Sequence, residues 1–262
     1  MNGKNKRRRR IILTFVWVTF FLSWGSFLNV IAYRLISGNS LFTKRSYCPQ
    51  CKTIIAWYDN IPIISWLLLK GHCRSCKKPI SWLYPFTEII TALSALLVIH
   101  IIEPQYWAVY FFFFSALIIS IRTDLEHLLL SRYVTLGLIP ISLGLSYFQF
   151  LPISIEQSLI GSISAYTFLF TISYSYYLIT KRVGLGQGDI ELLAGIGSFL
   201  GFFGWWFTLL LASLLGSFTG FFIILFYNRS LTKVKIPFGP FLALGAMTFV
   251  LCNQFISSIW QF

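Results

Sequence analysis

The chain has 262 residues, 56 % of them hydrophobic and only 11 % charged, with a mean hydropathy of +0.74. Soluble domains carry about 25 % charged residues, so this composition excludes a water-soluble globular protein and points to an integral membrane protein. The 21 Lys and Arg against 8 Asp and Glu give a net charge of +13. These basic residues sit in short segments between apolar runs, where they orient a membrane protein rather than bind nucleic acid.

A basic tail, residues 1–10, precedes the first apolar run at 11–30. A signal peptide begins the same way, but no small-residue cleavage site follows. The run continues through Gly25-Ser26-Phe27-Leu28-Asn29-Val30 to Tyr33-Arg34, so it reads as a first membrane segment. Further apolar runs fall at 86–102, 107–121, 133–151, 158–179, 190–200, 205–227 and 238–260. About 17 to 25 apolar residues cross a hydrocarbon core of about 30 Å as a helix, which makes eight expected spans. Strands of alternating polarity are not visible, so the expected fold is all-α, a polytopic helical bundle rather than a barrel. The run 190–200 is short, and Gly195, Gly197, Gly201 and Gly204 suit a segment held inside the bundle. The expected organisation is a tail and first membrane segment at 1–34, a cytoplasmic loop domain at 35–85 and a membrane core at 86–262.

Lys and Arg collect on one side of this arrangement: from Arg34 to Lys78, then at Arg122 and Arg132, at Lys181 and Arg182, and at Arg229, Lys233 and Lys235. The opposite loops, around Glu103 and Glu156, have none. Cytoplasmic loops are the basic ones, so Asp124 and Asp189 are expected together on the cytoplasmic side. The tail from Lys4 to Arg10 opposes this assignment if the first helix spans fully; four consistent loops outweigh it.

The loop domain carries two C-x-x-C knuckles, Cys48-Pro49-Gln50-Cys51 and Cys73-Arg74-Ser75-Cys76, at a separation that zinc ribbons use. Four thiolates enclose a tetrahedral zinc with no open position, which makes the site structural. Lys52, Arg74, Lys77 and Lys78 offset its negative charge. Two disulfides are the alternative, disfavoured in the cytoplasm; a redox C-x-x-C would need a thioredoxin context that is absent. Cys252, deep in the last apolar run, reads as a packing residue.

Eight acids allow candidates to be taken one at a time. Glu103 and Glu156 are on the outer side, Asp59 belongs to the cysteine loop and Glu88 opens the second span. Asp124 with Glu126, and Asp189 with Glu191, remain as two D-x-E segments on the cytoplasmic side. An acid near hydrocarbon costs about 2.5 to 3.5 kcal/mol at a helix centre, so a membrane protein keeps one for a reason. Two neighbouring carboxylates cannot both ionise and share a proton, the requirement for an aspartyl hydrolase. In the alternative, Asp189 caps a helix and Asp124 pairs with Arg122. Gly186 and Gly188 leave room beside Asp189 for an extended substrate. A scaffold that recruits a partner through the cysteine loop, or a membrane thiol oxidoreductase, is the competing functional class.

Several motifs in order resemble the type IV prepilin peptidase family, which includes the leader peptidases of competence pseudopilins. They are Gly25–Val30 with Tyr33-Arg34; Trp57-Tyr58-Asp59-Asn60-Ile61-Pro62 and Ser65-Trp66 within the cysteine loop; Pro79-Ile80-Ser81, Tyr84-Pro85 and Glu88; Asp124-Leu125-Glu126; Gly186-Gln187-Gly188-Asp189; and Ile236-Pro237-Phe238-Gly239-Pro240 with Phe241 to Gly245. The resemblance spans nearly the whole chain. It implies a membrane aspartic endopeptidase with Asp124 and Asp189 catalytic, and zinc on Cys48, Cys51, Cys73 and Cys76. It also implies removal of a short basic leader from prepilin or pseudopilin precursors at the cytoplasmic face of a bacterial inner membrane. Many members then methylate the new N-terminus with S-adenosylmethionine. Glu126 and Glu191 are expected to receive the basic leader, with its apolar helix among the spans. Two departures stand out: Ser131-Arg132 where the family usually has Pro-Asp, and Glu191 where it often has Lys.

Overall fold

The computed structural model describes residues 3–38, 45–227 and 236–260. Arg229, Lys233 and Lys235 lie outside them. Among the described residues the regular elements are helices, joined in the cysteine loop by two isolated bridges, Tyr47 with Ile54 and His72 with Pro79. The chain forms two compact units, Met1–His100 and Ile101–Phe262.

The first unit holds α1 (Gly3–Ser37), α2 (Ile64–Leu68) and most of α3 (Leu83–Ile101). Phe21, Leu28 and Ala32 of α1 are buried, as are Ala92, Ala95 and Val98 of α3. Gly25 permits the approach of α1 to α3, because a Cβ there would stand 2.7 Å from the Glu88 Cα. Between them, Ile63 adopts φ 60° while Ile64 N–H donates to the Pro62 carbonyl at 2.5 Å. A β-branched residue in that region is strained. The buried Glu88 carboxylate holds it by accepting the Ile63 N–H at 2.7 Å.

The second unit comprises α4 (Trp107–His127), α5 (Arg132–Thr135), α6 (Leu138–Tyr147), α7 (Ile155–Thr180), α8 (Gln187–Tyr227) and α9 (Gly239–Trp260). Its core is built from Phe113 and Leu117 of α4, Leu192, Leu193 and Ile196 of α8, and Leu242, Ala243 and Ala246 of α9. A capping box starts α7, with the Ser154 hydroxyl accepting the Gln157 N–H and the Gln157 side chain accepting the Ser154 N–H.

Gly201, at φ 72° and ψ −171°, folds α8 into two arms. The first runs from Asp189 to Phe199, which stacks on Phe113 at 4.5 Å. The second runs back along α9: Gly204 packs on Phe249, Thr208 on Gly245, and Gly216 on Phe238 and Phe241. The expected segments 190–200 and 205–227 are these two arms. Gly161 and Gly197 meet backbone to backbone where α7 crosses the first arm, with no space for a Cβ on either.

Among the described residues, four helical stretches are long and apolar enough to cross a membrane: Ile12–Ser37, Leu83–Ile101, Pro104–His127 and Gln187–Ile223, the last containing both arms of α8. The count of eight is not reached by this measure. Residues 133–151 do not form one span; they break into α5 and the ten-residue α6. Pro140 lacks the N–H that a continuous helix would need there. In α7, 26 residues long, Ser, Thr and Tyr dilute the apolar content. Cys252 is exposed on α9 rather than packed in a core.

Candidate active site

Asp124 lies in the last turn of α4. Leu128, in a left-handed conformation, ends that helix by donating its N–H to the Asp124 carbonyl at 2.9 Å. Asp189 lies in the first turn of α8, where an acidic side chain suits the positive end of the helix. The third contributor is the start of α9. There the Gly239 N–H, which no intrahelical carbonyl can satisfy, donates to Asp124 Oδ2 at 2.8 Å. Pro240 follows in the first turn, where its missing N–H is tolerated.

Leu130 ties these segments together. Its side chain lies so close to Gly188 and Gly239 that a Cβ on them would approach it to 2.9 and 3.3 Å respectively. A Cβ on Gly239 would also stand 2.8 Å from Asp124 Oδ2, and one on Gly186 would stand 3.1 Å from Asp189 Oδ2. Asp124 is 6 % exposed and Asp189 half-buried, and the two carboxylates interact as like charges. At Gly186 and Gly239 the missing side chain leaves the carboxylate itself in contact with the backbone.

The two glutamates are placed differently. Glu126 pairs with the buried Arg122 one turn before it on α4, lies 3.5 Å from His127 and is about a third exposed. Glu191 is buried, with Oε1 3.1 Å from Arg132 Nη2 and Oε2 accepting the Thr135 hydroxyl at 3.3 Å. Gly186 and Gly188 border Asp189, and Glu191 faces protein. The sequence reading assigned no role to Leu130, Thr135 or the Gly239 N–H. Of these, Gly239-Pro240 had a readable signal, since a glycine-proline step opening an apolar run marks a helix N-terminus with donors to satisfy.

The two cysteine knuckles are built alike. Cys48 N–H donates to the Thr53 carbonyl and Lys52 N–H to the Cys48 carbonyl; Cys73 N–H donates to Lys78 and Lys77 N–H to Cys73. Lys52 and Lys77, each following the second cysteine of its pair, both have positive φ. Cys48 and Cys76 Sγ are 3.9 Å apart, Cys51 and Cys73 Sγ 4.0 Å, and all four lie within 4.8 Å of one another. A tetrahedron with metal–sulfur bonds of about 2.3 Å has edges of about 3.8 Å, so the cluster fits a tetrathiolate metal centre. Disulfides would need sulfurs about 2.05 Å apart. Thr53 hydrogen bonds draw the Cys51 thiol down to about 6 while Cys76 is pushed up to about 11, so the case for a metal rests on the sulfur geometry. A bidentate pair, Arg74 with Asp59 at 2.6 and 2.7 Å, braces the second knuckle.

A helical membrane protein with two interacting carboxylates at one end of a helical unit, and a four-cysteine cluster of metal-binding geometry in the loop after its first helix, is the class that fold and site define. Residues 20–102 match the bacterial peptidase A24 N-terminal domain, and residues 111–225 match the type IV leader peptidase family. A prepilin leader peptidase/N-methyltransferase of Aeromonas hydrophila is 33 % identical over 91 % of this chain and 90 % of its own length. One of Legionella pneumophila is 33 % identical, covering 87 % of each chain. A type 4 prepilin-like proteins leader peptide-processing enzyme of Escherichia coli O78:H11 is 31 % identical over 85 % of this chain and 88 % of its own. No solved structure matches. The chain belongs to the type IV leader peptidase family.

Proposed function

We propose that the protein is a membrane aspartic endopeptidase that removes the short basic leader from type IV prepilin-like precursors, with Asp124 and Asp189 as its acid–base pair. The convergence of the two carboxylates with the α9 N-terminus supports this reading most directly. As a pair they carry one proton between them. The ionised member takes a proton from water as its oxygen attacks the scissile carbonyl carbon; the protonated member hydrogen-bonds the carbonyl oxygen and then supplies the proton with which the amine leaves. Gly186 and Gly188, beside Asp189, are the positions where extended substrate backbone would approach the pair, and Glu126, partly exposed, is the acid placed to attract a basic leader.

Zinc is the metal that the four thiolates suit, through Cys48, Cys51, Cys73 and Cys76; it shapes the loop and takes no part in hydrolysis. The relatives' names also carry N-methylation. A cleft of about 450 Å³ in the first unit, with Arg34, Arg45, Ser23, Ser26 and Asn60 on its walls, has room and donors for the carboxylate and hydroxyls of S-adenosylmethionine. That group would supply the methyl for the new amine.

Purified protein incubated with a prepilin and S-adenosylmethionine, its products weighed, tests both activities. Asp124→Asn and Asp189→Asn are each expected to abolish cleavage while membrane insertion and bound zinc persist. Substantial cleavage by either variant would remove the pair from the mechanism.

A further inference from the structure

Residues 128–138, the connection from α4 through α5 to α6, lie along one face of α8. Leu130 seats on Gly188, and Thr135 with Leu138 seat on Gly195, whose Cβ would stand 2.8 Å from the Thr135 carbonyl oxygen and 3.1 Å from Leu138 Cβ. Position 191 falls between these seats, and steps of three and four residues put 188, 191 and 195 on the same face. Glu191 is only 2 % exposed, where an ionised carboxylate is costly unless it is both paired and hydrogen-bonded. Arg132 and Thr135 meet both needs at 3.1 and 3.3 Å. Thr135 is fully buried, whereas Arg132 is 68 % exposed and reaches in from the surface.

Given the hydrolytic reading of Asp124 and Asp189, we infer that the Arg132–Glu191 ion pair is a positioning device that holds Asp189 in register with Asp124. The connection leaves α4 four residues after Asp124, and Glu191 stands two residues after Asp189 in the first turn of α8. The pair thus locks the segment leaving one carboxylate to the helical turn carrying the other. The glycine seats on either side are non-directional contacts and tolerate a small slide or rotation. The Arg132 ion pair on Oε1 and the Thr135 hydrogen bond on Oε2 hold the two oxygens of one carboxylate, which fixes its direction as well as its distance. By contrast, the Arg122–Glu126 ion pair lies within α4 itself. Buried and occupied in this way, Glu191 acts through Asp189 and does not touch the leader.

The test is steady-state cleavage of a purified prepilin by the full-length protein, with inserted yield and thermal midpoint measured beside it. Glu191→Gln keeps the shape and the Thr135 contact, so it is expected to fold and to lose about 10- to 100-fold in kcat with KM unchanged. Arg132→Asp and Glu191→Lys alone place like charges together and should lose more; combined, they restore the attraction with signs exchanged and should regain most of the lost kcat. A Gln variant with wild-type kcat, a loss confined to KM, or a folded double variant no better than its parents would overturn the assignment. If the unmodified protein fails to cut the precursor, the hydrolytic reading falls instead, a result distinct from any of these.

Discussion

Single residues decide the geometry of this site, and glycines decide it as much as acids. Gly239→Ala puts a Cβ 2.8 Å from Asp124 Oδ2 and leaves the N–H in place, so the carboxylate itself must move. A displacement of that size is expected to lower kcat by about 100-fold without loss of fold, which turnover and thermal midpoint together report. Gly186→Ala meets Asp189 Oδ2 at 3.1 Å and should cost less. That the two aspartates lie near one another was legible in the sequence, because only eight acids exist and these two fall in D-x-E segments on the same, basic side of the apolar runs. Their surroundings were not: sequence spacing cannot show that Gly239 N–H, 115 residues downstream, lands on Asp124. The two departures from the family pattern, at 132 and 191, were each visible alone, but only the fold reveals them as ion-pair partners.

Among the elements, the cysteine loop and the α7–α8 crossing owe their stability to opposite means. The loop buries little apolar surface: Cys48 is its one buried hydrophobic residue between Arg45 and Trp82. A bound metal is therefore expected to supply much of its folding free energy, and chelation to abolish amide protection at Cys48, Lys52, Cys73 and Lys77 in hydrogen exchange. Arg74 holds the Asp59 carboxyl below the usual carboxylate range, chiefly by hydrogen bonding. A depressed folded value means that this contribution is complete above the unfolded value of about 3.9 and is lost as pH falls through the folded one. Asp59→Asn should accordingly lower the temperature of metal release at neutral pH. The crossing relies on absent side chains instead. Gly197→Ala drives a Cβ into the Gly161 carbonyl, an overpacking cost of about 1–3 kcal/mol, whereas Gly144→Ala in α6 meets open space and should be neutral or stabilising by up to about 1 kcal/mol. Thermal midpoints of the two variants compare these directly. Both cysteine pairs were readable from spacing, and 190–200 and 205–227 were readable as separate segments from the glycines between them. The division of 133–151 was hidden by its uniform apolarity, although Pro140 marked the place.

At the scale of the whole molecule, each end of the second unit has its own chemistry. One end gathers Asp124, Asp189 and the start of α9, with Arg132, Lys181 and Arg182 in the neighbouring connections. The other gathers Glu103, Tyr106, Pro152 and Asn253 around a cavity of about 260 Å³, and its loops lack Lys and Arg. Basic loops are retained on the cytoplasmic side, so the carboxylate end is expected to face the cytoplasm, where a basic leader would reside before processing. Gln105, exposed at the first end of α4, and Arg182, exposed after α7, are the diagnostic positions. A cysteine placed at Gln105 should react with a membrane-impermeant maleimide from outside intact spheroplasts, and one placed at Arg182 only after permeabilisation. The reverse pattern would put the proposed acid–base pair on the side that the leader does not occupy, and cleavage at the cytoplasmic face would lose its physical basis however well Asp124 and Asp189 are arranged.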